Sequence, residues 1–209
     1  MFDIAYGYFS LSDGLVRMAF LIEITGEERM ARLIVHSVES APEAAKARVE
    51  TALKNNGFLP NLIGVLANAP AALAMYQEVG ALNATTSLTA GEREVVQITA
   101  AVLNECGFCK AGHTALSIKK KLLDPQAIEA LRNTQALADP KLNRLALFTQ
   151  AVMANKGNVG DAELQAFFDA GYNEQQALEV VLGVALATLC NYANNLARTE
   201  INEQLQPFA

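Results

Sequence analysis

From about Ser40 to the end of the chain, each interruption of the apolar pattern is of the kind that starts or stops an α-helix. Pro42 precedes an Ala/Glu/Lys-rich run that stops at Gly57, and Pro70 opens another that runs through Met75 to Gly80. Thr89 followed by Glu92 spells a capping box, in which hydroxyl and carboxylate satisfy amides that a first turn leaves free. Asp124-Pro125 and Asp139-Pro140 each set an N-cap acceptor before a proline, whose fixed φ and missing N–H suit the first helical position. Gly157 and Gly171 fit helix ends, because glycine takes the left-handed conformation there without a Cβ penalty. Asn173 with Gln176 begins a last long helix, through Leu186 toward Leu205. No stretch after Ser40 alternates with period two and β-branched enrichment, so the expected fold is all α.

The 209 residues are 52% hydrophobic, with a mean hydropathy of +0.18. That length suits one domain with a sizeable core. The apolar excess is high for a monomer surface and predicts a homo-oligomer joined through apolar helix faces. A net charge of -6 and a sequence pI near 5.0 argue against nucleic acid or an anionic membrane as partner. The longest block of like charge, Lys119 to Lys121, reads as the solvated end of a helix. Three cysteines in a chain this long exclude a disulfide scaffold and point to a reducing cytoplasm.

Between Ile4 and Ile24 the chain is apolar, yet Asp13, Arg17 and Glu23 leave no span of about 18 uncharged residues for a membrane crossing. A basic leading region and a small-residue cleavage site are also missing. Met30 onward reads like a second beginning. Residues 1–29, rich in apolar side chains such as Tyr6, Phe9 and Phe20, are therefore expected to form an accessory extension outside the reactive site, docked on the surface or on a neighbouring subunit. Residues 30–209 are expected to form the helical domain.

The chemistry concentrates between Thr89 and His113. With Cys106 in the first turn of a helix, Cys109 and His113 fall within about 60° of it, on one face. Free amides and the helix dipole favour a thiolate in a first turn. His113, one turn beyond Cys109, is placed to take or hold its proton. If the chain reverses between Asn104 and Gly107, two antiparallel helices bring Glu94 level with His113, where the carboxylate can orient the imidazole. A thiol, a base and an orienting carboxylate make an activated nucleophile.

Glu94, eleven residues, Cys106, two residues, Cys109, three residues, His113 resembles the motif of the alkylhydroperoxidase D and carboxymuconolactone decarboxylase-like family. The likeness extends from about Met30 to Leu205 and includes the lead-in Leu88-Thr-Ala-Gly-Glu-Arg-Glu. It implies an all-α, alkylhydroperoxidase D-like helical bundle that assembles as a trimer or hexamer. It also implies a thiol-dependent peroxidase in which Cys109 attacks the hydroperoxide, Cys106 resolves the sulfenic acid to a disulfide, and Glu94 and His113 form a proton relay. An external dithiol, a lipoyl protein or a thioredoxin-like donor, would restore the pair, and no cofactor or metal is implied. Alkylhydroperoxidase D proper often carries a second histidine between the cysteines, where this chain has Phe108, so the resemblance is to the peroxidase-related branch.

Other readings of the same residues are a decarboxylase or lactone-processing enzyme of that family and a redox-sensing scaffold. Decarboxylase relatives, as the resemblance implies, usually lack the Cys pair. A structural zinc site would need His113, His36 and Cys190 recruited from afar, since no second Cys pair exists. His36 and Cys190 read as core or near-surface residues, and Glu105 as a solvated turn residue. A shift of 85 residues aligns Glu94-Val95-Val96 with Glu179-Val180-Val181, Ala100 with Ala185 and Thr114 with Thr199, which fits either a duplicated helical hairpin or chance. In that register Cys106, Cys109 and His113 face Asn191, Asn194 and Arg198.

Overall fold

Residues 31–209 are described by a computed structural model, and every regular element among them is helical. The expectations for residues 1–29 lie outside the described residues. In chain order the helices are α1 (Glu43–Asn56), α2 (Asn61–Leu66), α3 (Pro70–Asn83), α4 (Ala90–Leu103), α5 (Gly107–Lys119), α6 (Pro125–Arg132), α7 (Pro140–Ala154), α8 (Asp161–Asp169) and α9 (Glu174–Ala197), followed by a 3-10 helix (Glu203–Phe208).

The starts follow the capping chemistry. The Thr89 hydroxyl accepts the Glu92 amide at 3.2 Å while the Glu92 carboxylate accepts the Thr89 amide at 2.8 Å, closing a capping box on α4. Asn173 and Gln176 exchange the same pair of bonds, at 3.0 and 3.1 Å, at the start of α9. Asp124 accepts the Ala127 amide at 2.7 Å, and Asp139 accepts those of Lys141 and Leu142. Gly57, Gly157 and Gly171 all have positive φ beyond helix ends.

Two boundaries differ from the sequence reading. Helix α3 runs through Gly80 to Asn83, because a glycine inside a helix lowers its propensity without ending the hydrogen-bond ladder. Helix α9 stops at Ala197, where Arg198 takes a left-handed conformation at φ 50° and the Thr199 amide reaches back to the Asn194 carbonyl. Leu205 belongs to the separate 3-10 helix.

Helices α4 and α9 run side by side in the same direction between two apolar cores. Glu179 at the start of α9 accepts the amides of Ser87 and Leu88, the Gln97 side chain donates to the Gly183 carbonyl at 2.9 Å, and Asn104 donates to Asn191 at 2.9 Å. Gly183 permits this approach: a Cβ there would lie 3.0 Å from Val96. One core stacks Phe167 between Phe148 (4.1 Å) and Tyr172 (4.4 Å), beneath α6, α7 and α8. The other gathers apolar residues of α1, α2, α3 and the 3-10 helix around Cys106, Phe108, Cys109 and Cys190. By length and composition α9 is the one helix among the described residues apolar enough to cross a membrane. It packs against α2, α3, α4, α5 and α7 and buries Glu179, Asn191 and Asn194, as the central helix of the bundle does.

The expected duplicated hairpin meets a difference at this helix. Where the first copy turns at Cys106, its partner in the 85-residue register, Asn191, lies inside the unbroken α9. The reversal does not recur, because Leu189 to Asn191 lack any helix stop.

Candidate active site

The α4–α5 reversal turns on three residues. Helix α4 ends with the Glu105 amide bonded to the Val102 carbonyl and the Cys106 amide bonded to the Ala101 carbonyl at 2.8 Å, a Schellman closure. Glu105 supplies the left-handed residue at φ 53°, a conformation that strains a non-glycine residue and recurs at functional sites. Cys106 therefore spends its main-chain N–H on the end of α4 while its side chain begins α5. Its Sγ accepts the Cys109 amide at 3.3 Å, as an N-cap oxygen would.

Both sulfurs are buried, with Cys106 1% and Cys109 5% exposed, and neither is in a disulfide. The Cys106 thiol is held below its ordinary value, first by the Cys109 thiol bonded to its sulfur and then, against burial, by the Cys109 amide, Asn194 and the charge of His113. The Cys109 thiol is pushed up by that same bond to Cys106 and by burial. The Cys109 amide on its sulfur favours Cys106 over Cys109 as the carrier of negative charge in the reduced pair. The Asn194 amide also bonds Cys109 Sγ, at 3.2 Å. Asn194 is 3% exposed, and its Oδ1 has no partner among the described residues. Such an orphan costs about 1–3 kcal/mol and marks a place where packing is not the sole constraint.

Counting residues back from the reversal located the second pair. Glu94 Oε2 lies 2.9 Å from His113 Nδ1. A hydroxyl contributed one turn further along α5, that of Ser117, reaches the same oxygen at 3.4 Å. Glu94 is 6% exposed, while 29% of the His113 side chain is open. Burial disfavours the imidazolium, but the charge and hydrogen bond of Glu94 and the charge of Cys106 outweigh it and raise the His113 pKa. With Nδ1 committed to the carboxylate, Nε2 is the ring nitrogen left for proton transfer.

The hairpin thus joins Glu94 to His113 and Cys106 to Cys109. Among the described residues no hydrogen bond links the imidazole directly to either sulfur; His113 acts on the pair through its charge. His36 lies away from the site, bonded to Ser40 and Asn68, and Glu105 is exposed. Cys190 is buried in the same apolar cluster as the pair, and burial pushes its thiol up to about 12. Two residues beside the site were not singled out from the sequence as part of it. Ser117 carried no signal beyond its position four residues after His113, whereas Asn194 was already opposite Cys109 in the 85-residue register. A surface groove of about 330 Å³ on another face of α5, lined by Thr114, Ile118, Arg132 and Phe208 among others, contains none of the four motif residues.

A buried Cys-x-x-Cys on a helical hairpin, beside a Glu–His pair, defines an all-α protein with a dithiol site. Residues 70–151 match the carboxymuconolactone decarboxylase family, and no curated protein matches the chain. The fold is shared with the alkylhydroperoxidase AhpD core of an uncharacterized peroxidase-related protein from Ralstonia eutropha JMP134, at TM-score 0.74 and 22% identity over 84% of this chain and 94% of that one. It is shared with a peroxidase-related protein from Silicibacter sp. TM1040, at TM-score 0.71 and 15% identity over 86% and 97% of the two chains. The debrominase Bmp8 in complex with 2,3,4-tribromopyrrole gives TM-score 0.71 and 14% identity over 86% and 96%. Residues 70–151, which carry all four motif residues, are thus similar to the carboxymuconolactone decarboxylase family, and the fold is alkylhydroperoxidase D-like.

Proposed function

We propose that the protein is a thiol-dependent peroxidase that reduces hydroperoxides through a Cys106–Cys109 dithiol cycle. The observation that carries this reading is the Cys106 sulfur, bonded to the Cys109 amide at 3.3 Å, in the field of a His113 imidazole that Glu94 holds at 2.9 Å. The Cys106 thiolate takes the proton of Cys109, giving a Cys109 thiolate. This attacks the hydrogen-bearing oxygen of the hydroperoxide, forms the S–O bond and breaks the O–O bond. The alkoxide or hydroxide released takes a proton from His113 and leaves as alcohol or water, and Cys109 becomes a sulfenic acid. The Cys106 sulfur then displaces the sulfenic hydroxyl, which leaves as water as the Cys106 proton is lost, and a disulfide remains. An external dithiol returns two electrons and two protons to restore the pair.

The burial of both sulfurs favours a small peroxide, or the slender end of an alkyl hydroperoxide, as substrate. The reductant is a lipoyl protein or a thioredoxin-like donor, and the setting is a reducing cytoplasm. The assembly is a homo-oligomer, trimer or hexamer. An exposed apolar stripe on α9, formed by Leu178, Val181, Tyr192 and Leu196, supports that assembly. The alternative of a decarboxylase gives no role to a coupled thiol pair. Hydroperoxide consumption with a panel of dithiol donors, lipoyl compounds included, tests the proposal: catalytic turnover supports it, and oxidation that stops after one equivalent leaves only a redox sensor.

A further inference from the structure

We infer that Asn194 is a catalytic residue of the dithiol site: its side-chain amide donates to the Cys109 sulfur and thereby makes that sulfur able to carry the charge it needs to attack. The inference deepens the thiol peroxidase reading and rests on it.

The two sulfurs share one negative charge, and each has an N–H donor in contact, with Asn194 also acting on Cys106. Cys106 receives the Cys109 main-chain amide at 3.3 Å, and Cys109 receives the Asn194 side-chain amide at 3.2 Å. The first bond favours the resting thiolate on Cys106. The second lowers the barrier to moving that charge to Cys109, because an N–H aimed at a sulfur is worth most when the sulfur is ionised. Without Asn194, Cys109 would be left with the apolar cluster, the buried Tyr76 phenol, the Cys190 thiol and the thiolate beside it. Asn194 is fixed for this task. It lies on the buried side of α9, and its neighbour Asn195 anchors the helix to the reversal by donating to the Asn104 carbonyl at 2.7 Å. Its orphaned carbonyl oxygen is what remains when an amide is placed for its donor alone. That oxygen is also a ready acceptor for the hydrogen that stays on the attacked oxygen, first in the peroxide and then in the sulfenic acid.

The test isolates Cys109 in a Cys106→Ser background and adds Asn194→Leu or the near-isosteric Asn194→Asp. The rate of Cys109 alkylation by iodoacetamide is followed against pH, with the site of modification read by peptide mass spectrometry. Burial holds the Cys190 thiol up, and the peptide map separates any modification there from that of Cys109. Both Asn194 variants should move the profile to higher pH by about one unit or more, which is tenfold or more in thiolate at fixed pH. A purely structural role predicts the reverse, since loosening a buried site speeds alkylation without moving the midpoint. Coincident profiles for Asn194→Asp and its parent would overturn the inference, and this variant alone decides the matter if Asn194→Leu fails to fold. Hydroperoxide consumption by the unsubstituted protein is measured alongside. Its absence would remove the peroxidase reading while leaving the titration to judge Asn194.

Discussion

Glu94 Oε2 and His113 Nδ1 lie 2.9 Å apart across the α4–α5 hairpin, on opposite arms of a reversal that turns on Glu105. The two residues are separated by nineteen positions in sequence, yet the turn makes them neighbours and commits the imidazole to one orientation. That orientation leaves Nε2 free for the proton transfer that the proposed reaction asks of His113.

Glu94→Gln and His113→Phe should each slow reaction with hydroperoxide by about 10²–10⁴-fold, the range of a positioned acid–base group. Because the carboxylate acts only through the imidazole, the double variant should lose far less than the product of the two losses. Pre-steady-state oxidation rates for the four proteins decide this, and fully multiplicative losses would show two independent residues.

The two cysteines should separate cleanly by trapping. Cys106→Ser should accumulate a sulfenic acid on Cys109 that a dimedone-type probe captures, whereas Cys109→Ser should neither consume peroxide nor label. Labelling of Cys109→Ser at Cys106, with none in Cys106→Ser, would reverse the roles.

The pH dependence follows from the directions of the shifts. The Cys106 thiol is held below the ordinary thiol value of about 8.5, so its thiolate appears as pH rises through that lowered value. The His113 pKa is raised, so its positive charge persists to higher pH than a free imidazole would allow. The two shifts work together, each widening the pH range in which a thiolate and an imidazolium coexist. Peroxide reactivity should therefore rise on the acid side at a pH below about 8.5. His113→Phe, which removes the positive charge, should move that rise to higher pH; a rise at unchanged pH would show that the imidazole does not act on Cys106.

The helical fold was legible because its boundaries are written in local chemistry. Thr89 with Glu92, Asp124 before Pro125 and Asn173 with Gln176 each satisfy amides within their own turn, so no tertiary information is needed to read them. The end of α9 was not legible, since Arg198 adopts a left-handed conformation that sequence assigns to glycine or asparagine. Within the site, Glu94 and His113 could be matched by counting from the reversal at Glu105. The distribution of charge within the Cys pair could not, because it depends on which sulfur the Cys109 amide meets and on the Asn194 amide from the far end of the chain. The spacing of the motif fixes the face of the helix and is silent about donors arriving from α9.

The capping box gives a stability test remote from the thiols. Burial opposes ionisation of Glu92, but the Thr89 amide and hydroxyl, with Tyr172 and Lys141, outweigh it and lower its pKa. Its contribution is therefore present above the unfolded carboxylate value of about 4.3 and is lost as pH falls through the lower folded value. Thr89→Ala should cost about 1 kcal/mol near neutral pH. Urea unfolding should show that loss shrinking in acid, and a loss independent of pH would place Glu92 outside the linkage.

The most direct measurement of the central claim is a single turnover of the reduced protein with limiting hydroperoxide, followed by peptide mapping. One equivalent of peroxide should consume two thiols and leave a Cys106–Cys109 disulfide, with Cys190 free, and a dithiol donor should return the protein to its starting state for further turnovers. Peroxide that persists unreduced, or oxidation that spares both cysteines of the pair, would contradict the account.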